Sequence, residues 1–380
     1  MTTNSAATPA DLLYSDVETD LRASVRDLLA DRCSPAALLA RVESDEPYDL
    51  KLWRTLAVEL GTAGLAVPEE LGGQGASVRE TALVLEELGR AVAPVPFLGS
   101  AVLATSALLG CDTGTDAVAA LLRRLASGEA VGALAVPLST APGSPFSGTV
   151  EVSGDGTLTG SVRSVADGAL AEVLVVPATG SDGPGLYAVE PAGGGVSVSE
   201  PVSFDLTRRI ADITFSGARA TRLAGEEQAR AALDRALLTG AGLLASEQLG
   251  VAQWCLDETV DYVKNRYQFG RPVGSFQALK HRIADVWLEL VAARAAARYA
   301  ADTLSRGDAD APVAVAMAQS YCAETAVHAA EECIQLHGGI GMTWEHPAHL
   351  YLKRAKASQL ALGTPGRHRA TLAGLVDLPG

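Results

Sequence analysis

A stretch that cannot be helical, set between two that are, most constrains what this chain can fold into. From about 129 to 222 the residues are mainly Gly, Ser, Val and Thr. Gly is a poor helix former and β-branched side chains favour extended backbone. Segments 149–152, 172–176, 186–189 and 211–215 therefore read as short strands. Ser153-Gly154-Asp155-Gly156 reads as a hairpin turn, because Gly tolerates the positive φ such turns need. This predicts a small antiparallel β unit. On the N-terminal side, Ser15-Asp16-Val17-Glu18 fits a capping box. Behind it Val17, Leu21, Val25, Leu28 and Leu29 recur at helical spacing. Further helices are expected at 77–91 and 116–126, with the Pro- and Gly-bearing loop 67–75 between helical stretches. On the C-terminal side, long Ala- and Leu-rich periodic segments run through 226–265, 276–305, 311–337 and 347–360. They suit a close-packed four-helix bundle. The expected class is α+β, with a helical domain over 1–128, a β domain over 129–224 and a helical bundle over 225–380.

Composition narrows the function. The chain has 380 residues and a net charge of −15, which argues against general affinity for nucleic acid or an anionic membrane. A phosphate-bearing ligand remains compatible, since a few local Arg residues and backbone N–H groups suffice. The five Cys form no CxxC pair and read as dispersed free thiols of a reducing cytosol. The first nine residues have neither the basic nor the apolar region of a signal peptide. No run reaches the roughly 18 apolar residues of a membrane span. A cytoplasmic protein is expected.

Two strings carry chemistry. The first is Arg266-Tyr267-Gln268-Phe269-Gly270-Arg271-Pro272, followed by Phe276-Gln277. A guanidinium at a helix end can hold a pyrophosphate through forked, charge-assisted hydrogen bonds. Phe269 and Phe276 offer apolar faces to an adenine, and Gln277 a donor and an acceptor. Taken residue by residue, a plain interhelical loop, with Arg266 solvated and both Phe in the core, is the favoured reading. The second string is Gln335-Leu336-His337-Gly338-Gly339, where paired Gly permit a left-handed cap and close approach of backbone to a ligand. His346-Pro347-Ala348-His349 raises the question of a metal. No Cys or acidic spacing completes a tetrahedral set there, so no metal is expected.

Together with Trp344-Glu345-His346 and Arg354-Ala355-Lys356 downstream, and Gly64 to Gly73 and Glu86-Glu87-Leu88-Gly89-Arg90 upstream, these strings resemble the acyl-CoA dehydrogenase family over nearly the whole chain. The resemblance implies that family's fold, with helical, β and helical domains in order. It implies an FAD-dependent α,β-desaturation of a CoA thioester, with electron-transfer flavoprotein as the expected acceptor. It also implies FAD contacts from Arg266, Gln268, Phe269, Phe276, Gln277, Gln335, Leu336, Gly338, Gly339 and Thr364, reaching a cofactor bound mainly to a neighbouring subunit.

The departures are as informative. Family members hold the flavin ring with two β-domain segments; the matching stretches here are Ala135-Val136-Pro137-Leu138 and Ser164-Val165-Ala166-Asp167. They lack the Trp and Thr that would cover and hydrogen-bond the ring. The family's base is a Glu just before Gly-Thr, and here that position is Leu362. Proton abstraction alpha to a thioester needs a carboxylate nearby. The alternative base position of some members falls near Gly240, and Glu247 lies about 11 Å further along that helix. The chain thus resembles the base-lacking subunit of actinobacterial α2β2 acyl-CoA dehydrogenases, whose partner paralogue supplies the Glu. Two other readings stay open: a self-sufficient homo-oligomer with an atypical base, Glu247 being the weak candidate, and a non-catalytic scaffold for acyl-CoA or flavin.

Overall fold

The computed structural model describes residues 12–146 and 148–378. The first nine residues, where no signal peptide is expected, lie outside the described residues. The first helices are α1 (Asp16–Arg32), α2 (Pro35–Val42), α3 (Leu50–Arg54), α4 (Val78–Arg90), α5 (Thr105–Leu109) and α6 (Asp116–Ala126). At the start of α1, Ser15 Oγ accepts from the Glu18 N–H at 3.2 Å, and Glu18 Oε2 accepts from the Ser15 N–H at 2.7 Å. This reciprocal cap is the one the Ser-x-x-Glu spacing predicts. Ser77 and Glu80 open α4 in the same way.

The sheet comprises β1 (Gly132–Leu134), β2 (Val150–Val152), β3 (Thr157–Ala166), β4 (Val173–Gly180), β5 (Gly183–Val189), β6 (Val196–Ser199), β7 (Ile210–Arg219) and β8 (Thr221–Ala224). The strands are ordered β6-β7-β3-β2-β4-β5-β8, and β1 also pairs with β4. Successive side chains on β4 point to opposite faces. Val173 and Val175 join the core shared with the helices, while Leu174 and Val176 join a second core under the sheet with Leu158, Ile213 and Phe215. Most pairings are antiparallel, as expected, but β1 and β2 run parallel to β4. The connections to β4 are long enough to return the chain in the same direction, which a tight hairpin turn cannot do.

The C-terminal half holds α7 (Glu226–Asn265), a hairpin of β9 (Tyr267–Gln268) and β10 (Arg271–Pro272), then α8 (Gln277–Arg306), α9 (Ala311–His337), α10 (Ala348–Leu360) and α11 (Pro365–Leu375). At 40 residues, α7 is about 60 Å long. It packs against α8 and α9, with α10 and α11 laid on α9. Small side chains make the contact close: Ala241, Ala245, Ala252, Ala314, Ala318 and Ala330 are all fully buried. Among the described residues, no helix is long and apolar enough to cross a membrane.

The two helical regions meet where α4 crosses α7, and two glycines set the distance. A Cβ on Gly250 would overlap the Glu86 carbonyl oxygen, and one on Gly89 would overlap the Glu247 carbonyl oxygen. Both obstacles are backbone, so neither can swing aside. Gly250→Ala is expected to destabilise the fold by about 1–3 kcal/mol, the usual penalty of overpacking, read as a lowered urea midpoint with an unchanged slope.

Candidate functional site

The ends of α7, α8 and α9 converge on one face. There Tyr262, Arg266, Gln268, Leu279, Gln335, Gly338 and neighbouring residues line an open groove of about 560 Å³. The two strings singled out in the sequence, some 70 residues apart, therefore share one surface. Arg266 terminates α7, its N–H donating to the Tyr262 carbonyl at 2.9 Å and its own carbonyl accepting from Val273 at 2.8 Å. With its backbone so held, the exposed guanidinium is left at the groove. The turn between β9 and β10 places Phe269 and Gly270 at φ of 53° and 74°. Two consecutive positive φ values define the tight two-residue hairpin turn whose twist matches its strands. Gly338 ends α9 at φ 63° and ψ −135°, a conformation reserved for Gly, and a Cβ on Gly338 or Gly339 would meet nothing within 4 Å. Backbone N–H groups and an exposed guanidinium beside open space fit the phosphate and ribose half of a dinucleotide cofactor.

Not every expected residue lines the groove. Phe276 is packed by the protein itself, with the Arg271 guanidinium 3.9 Å from its ring centroid and Phe269 edge-on at 6.1 Å. Phe269 is 90% exposed, so its other side is open. Gln277 is the exposed first residue of α8. Thr364 Oγ1 accepts from the Arg367 N–H at 3.3 Å and caps α11. Conversely, Tyr262, Leu279 and Arg282 line the groove without having been singled out. Leu279 and Arg282 sit three residues apart on α8, a spacing that puts both on one helix face.

The other end of the expected site is assembled in backbone and emptied of chemistry. The Leu362 N–H donates to the Leu138 carbonyl at 2.7 Å, and the Leu138 N–H donates to the Ser164 carbonyl at 2.9 Å. The base position and the two ring-holding segments thus come together as the resemblance implies. Yet Leu362 is 0% exposed, at φ 52°, with its carbonyl bonded to His368 Nε2 at 2.9 Å. A Cβ on Gly240 would lie 2.5 Å from Leu103 and 3.1 Å from Leu362, so apolar side chains fill the space at the alternative base position. Val165 and Ala166 are buried in the sheet, where a flavin ring could not reach them.

Glu247 is buried too, and both its carboxylate oxygens are taken. Oε2 pairs with Arg208 and Oε1 with Arg354 at 3.3 Å. Arg354 also holds Asp205 at 2.8 Å, Arg208 donates to Ser358 Oγ at 3.2 Å, and Asp205 Oδ1 accepts from Thr207 N–H at 2.8 Å. Each carboxylate oxygen is committed to a buried guanidinium, and at 2% exposure the group has no open face toward a substrate. The geometry gives Glu247 a packing role.

Residues 15–129 match the model of the acyl-CoA dehydrogenase N-terminal domain, and residues 229–375 that of the C-terminal domain. The chain belongs to the acyl-CoA dehydrogenase family, oxidoreductases acting on CH–CH bonds. It is 39% identical over 346 residues to the acyl-CoA dehydrogenase IpdE2 of Mycobacterium tuberculosis, covering 91% of this chain and 92% of that one. Among solved structures it is similar to a variant of the Tcur3481-Tcur3483 steroid ACAD, at 32% identity and TM-score 0.84, covering 95% and 98% of the two chains. It is likewise similar to the ChsE4-ChsE5 complex of Mycobacterium tuberculosis, at 29% identity and TM-score 0.85, covering 97% and 100%.

The buried charges are open to direct test. Glu247→Gln leaves Arg208 and Arg354 buried without the carboxylate between them and is expected to cost about 3–5 kcal/mol of stability. Equilibrium unfolding reads this directly; a fully stable variant that loses only turnover would restore Glu247 as a base. Asp167, at the foot of the former ring-holding segment, accepts from the Gly99 N–H at 3.1 Å. Burial pushes its carboxyl up from 3.8 to about 6, against the opposing pull of Arg208 and of that N–H. Between those values the native state holds a proton the unfolded chain has released, so this group favours folding in acid and its contribution is lost as pH rises through about 6. Asp167→Asn should remove that fall from the stability–pH curve measured by urea titration.

Proposed function

We propose that the chain is the base-lacking subunit of a heteromeric acyl-CoA dehydrogenase, completing the FAD site of a paralogue that carries the catalytic Glu. One contrast carries this reading: the groove at Arg266 and Gly338 is open, while the base position at Leu362 is sealed with apolar side chains. Bound FAD supplies the hydride acceptor for desaturation of the thioester. This chain's part is to bind and position it. Arg266 neutralises the pyrophosphate, Gln268 and Gln335 present amide groups, and Gly338 and Gly339 let backbone approach the adenosine. Tyr267, Phe269, Ile340, Met342 and Trp344, in the β9–β10 hairpin and the segment between α9 and α10, are all exposed. So many exposed apolar side chains suit burial against another subunit. The names of the similar proteins support a steroid-derived acyl group and a paired paralogue. A cytoplasmic location and reoxidation by electron-transfer flavoprotein belong to the same reading.

The ion pairs on Glu247 weigh against the self-sufficient homo-oligomer, for which it is the weak candidate base. The test is FAD per chain, from flavin absorbance of the protein purified alone and co-expressed with a base-bearing paralogue. Little flavin alone and about one FAD per pair are expected. Arg266→Ala should weaken retention by the pair roughly 10-fold or more, the scale of one charge-assisted hydrogen bond. One full FAD per chain in the isolated protein, or unchanged FAD in the Arg266 variant, would overturn the assignment.

A further inference from the structure

Directly behind the Gly338–Gly339 loop, among the described residues, the carboxylate of Glu258 and the rings of His337 and His346 bring three ligand atoms within 4.8 Å of one another. We propose that these side chains bind one divalent transition-metal cation, represented by Zn²⁺, which fastens that loop to α7.

The state of His337 points to a ligand. The residue is 2% exposed, and its Nδ1 lies 2.6 Å from the Cys333 carbonyl oxygen. A carbonyl can only accept, so Nδ1 carries the ring proton. Nε2 is then a bare lone pair, buried, with no hydrogen-bond partner, facing the cluster. A buried acceptor left unmade is unfavourable. An imidazole that donates one N–H to a backbone carbonyl and presents its other nitrogen is the arrangement in which metal-ligating histidines are held.

The other donors suit the same cation. His346 Nε2 lies 3.6 Å from Glu258 Oε1. Two imidazoles and a carboxylate favour Zn²⁺ and its neighbours over Mg²⁺ or Ca²⁺, which prefer oxygen alone. Tetrahedral bonds to nitrogen and oxygen place donors about 3.4 Å apart, so the group closes by roughly an ångström. The mobile partners in that closure are Glu258, whose side chain is 40% exposed, and His346, on the loop before α10. Closure gives up one long contact, from the Ala348 N–H to His346 Nδ1 at 3.3 Å, since a metal on Nε2 moves the ring proton to Nδ1. Solvent reaches the site past Glu258 and can supply the fourth ligand.

The ligands come from three segments: α7, the last residue of α9, and the loop ahead of α10. His337 also stacks on Tyr262 at 4.3 Å between centroids, and both line the groove. A cation here would fix the backbone of Gly338 and Gly339 without touching a cofactor. The site is a clamp, with no part in proton or hydride transfer, and it does not depend on what fills the groove.

The experiment uses the full-length chain, dialysed against EDTA and titrated with ZnCl₂ by calorimetry. One equivalent should bind, and Zn²⁺ should raise the melting temperature. His346→Gln and Glu258→Gln, checked as folded by circular dichroism, should each weaken binding at least tenfold, while Cys333→Ser leaves it unchanged. Co²⁺ in place of Zn²⁺ should give tetrahedral visible bands with no thiolate charge-transfer band. Substoichiometric uptake by wild type would overturn the proposal. So would uptake that survives His346→Gln or Glu258→Gln, disappears with Cys333→Ser, or shows thiolate-to-cobalt charge transfer.

Discussion

The buried ion network through Glu247 holds the three parts of the molecule in one arrangement. Asp205 and Arg208 enter from the loop before β7, Glu247 from the middle of α7, and Arg354 and Ser358 from α10. Each is nearly inaccessible to water. Charges taken out of water are tolerated only when every partner is in place, so these contacts specify position more than they add stability. The same turn of α7 receives α4 through Gly89, whose missing Cβ makes room for the Glu247 carbonyl. Sheet, N-terminal helices and bundle are therefore registered on one stretch of one helix. From that stretch, α7 runs on to present Arg266 at its far end.

What survives at the vacated base position is the geometry that depends on backbone. The hydrogen bonds joining Leu362 to Leu138, and Leu138 to Ser164, need no particular side chains. They bring the loop before α11 against the sheet whatever residue stands there. The side chains there are not fixed by those bonds, and in this chain they belong to the core. Leu362, Val165 and Ala166 bury apolar surface where a carboxylate and a hydrogen-bonding wall would otherwise face solvent and ligand. The groove shows the opposite balance. Arg266 and Gln335 stay exposed, and Gly338 keeps a backbone conformation that other residues avoid.

Sequence made some of this legible and hid the rest for physical reasons. The helix limits were readable because capping and periodicity are local: Ser15 with Glu18 marks α1, and α6, α7 and α9 fall on the segments predicted for them. The groove was readable because each half of it is a short contiguous string. The pairing of β1 and β2 with β4 was not, since strand direction depends on connections that spacing does not fix. Nor was the clamp on Glu247, whose partners lie 39 and 107 residues away. The cap that Thr364 makes on α11 was not read from the sequence. The approach of Glu258 to His337 and His346 was hidden in the same way, since Glu258 stands on α7, far from both in sequence.

The exposed apolar side chains beside the groove's two strings bear on how an enzyme can divide its chemistry between subunits. Phe269 and Met342 stand 90% and 80% exposed, the first at a tight hairpin turn and the second at the end of the short 3-10 helix after α9. Side chains displayed on backbone already held in its docked conformation lose less entropy on docking, so more of the burial appears as affinity. A subunit of this kind need not keep its own reactive pocket, because its contribution is made at the surface. Apolar packing of Leu103 and Leu362 against Gly240 fills the position of the family's base with buried surface, which favours the fold.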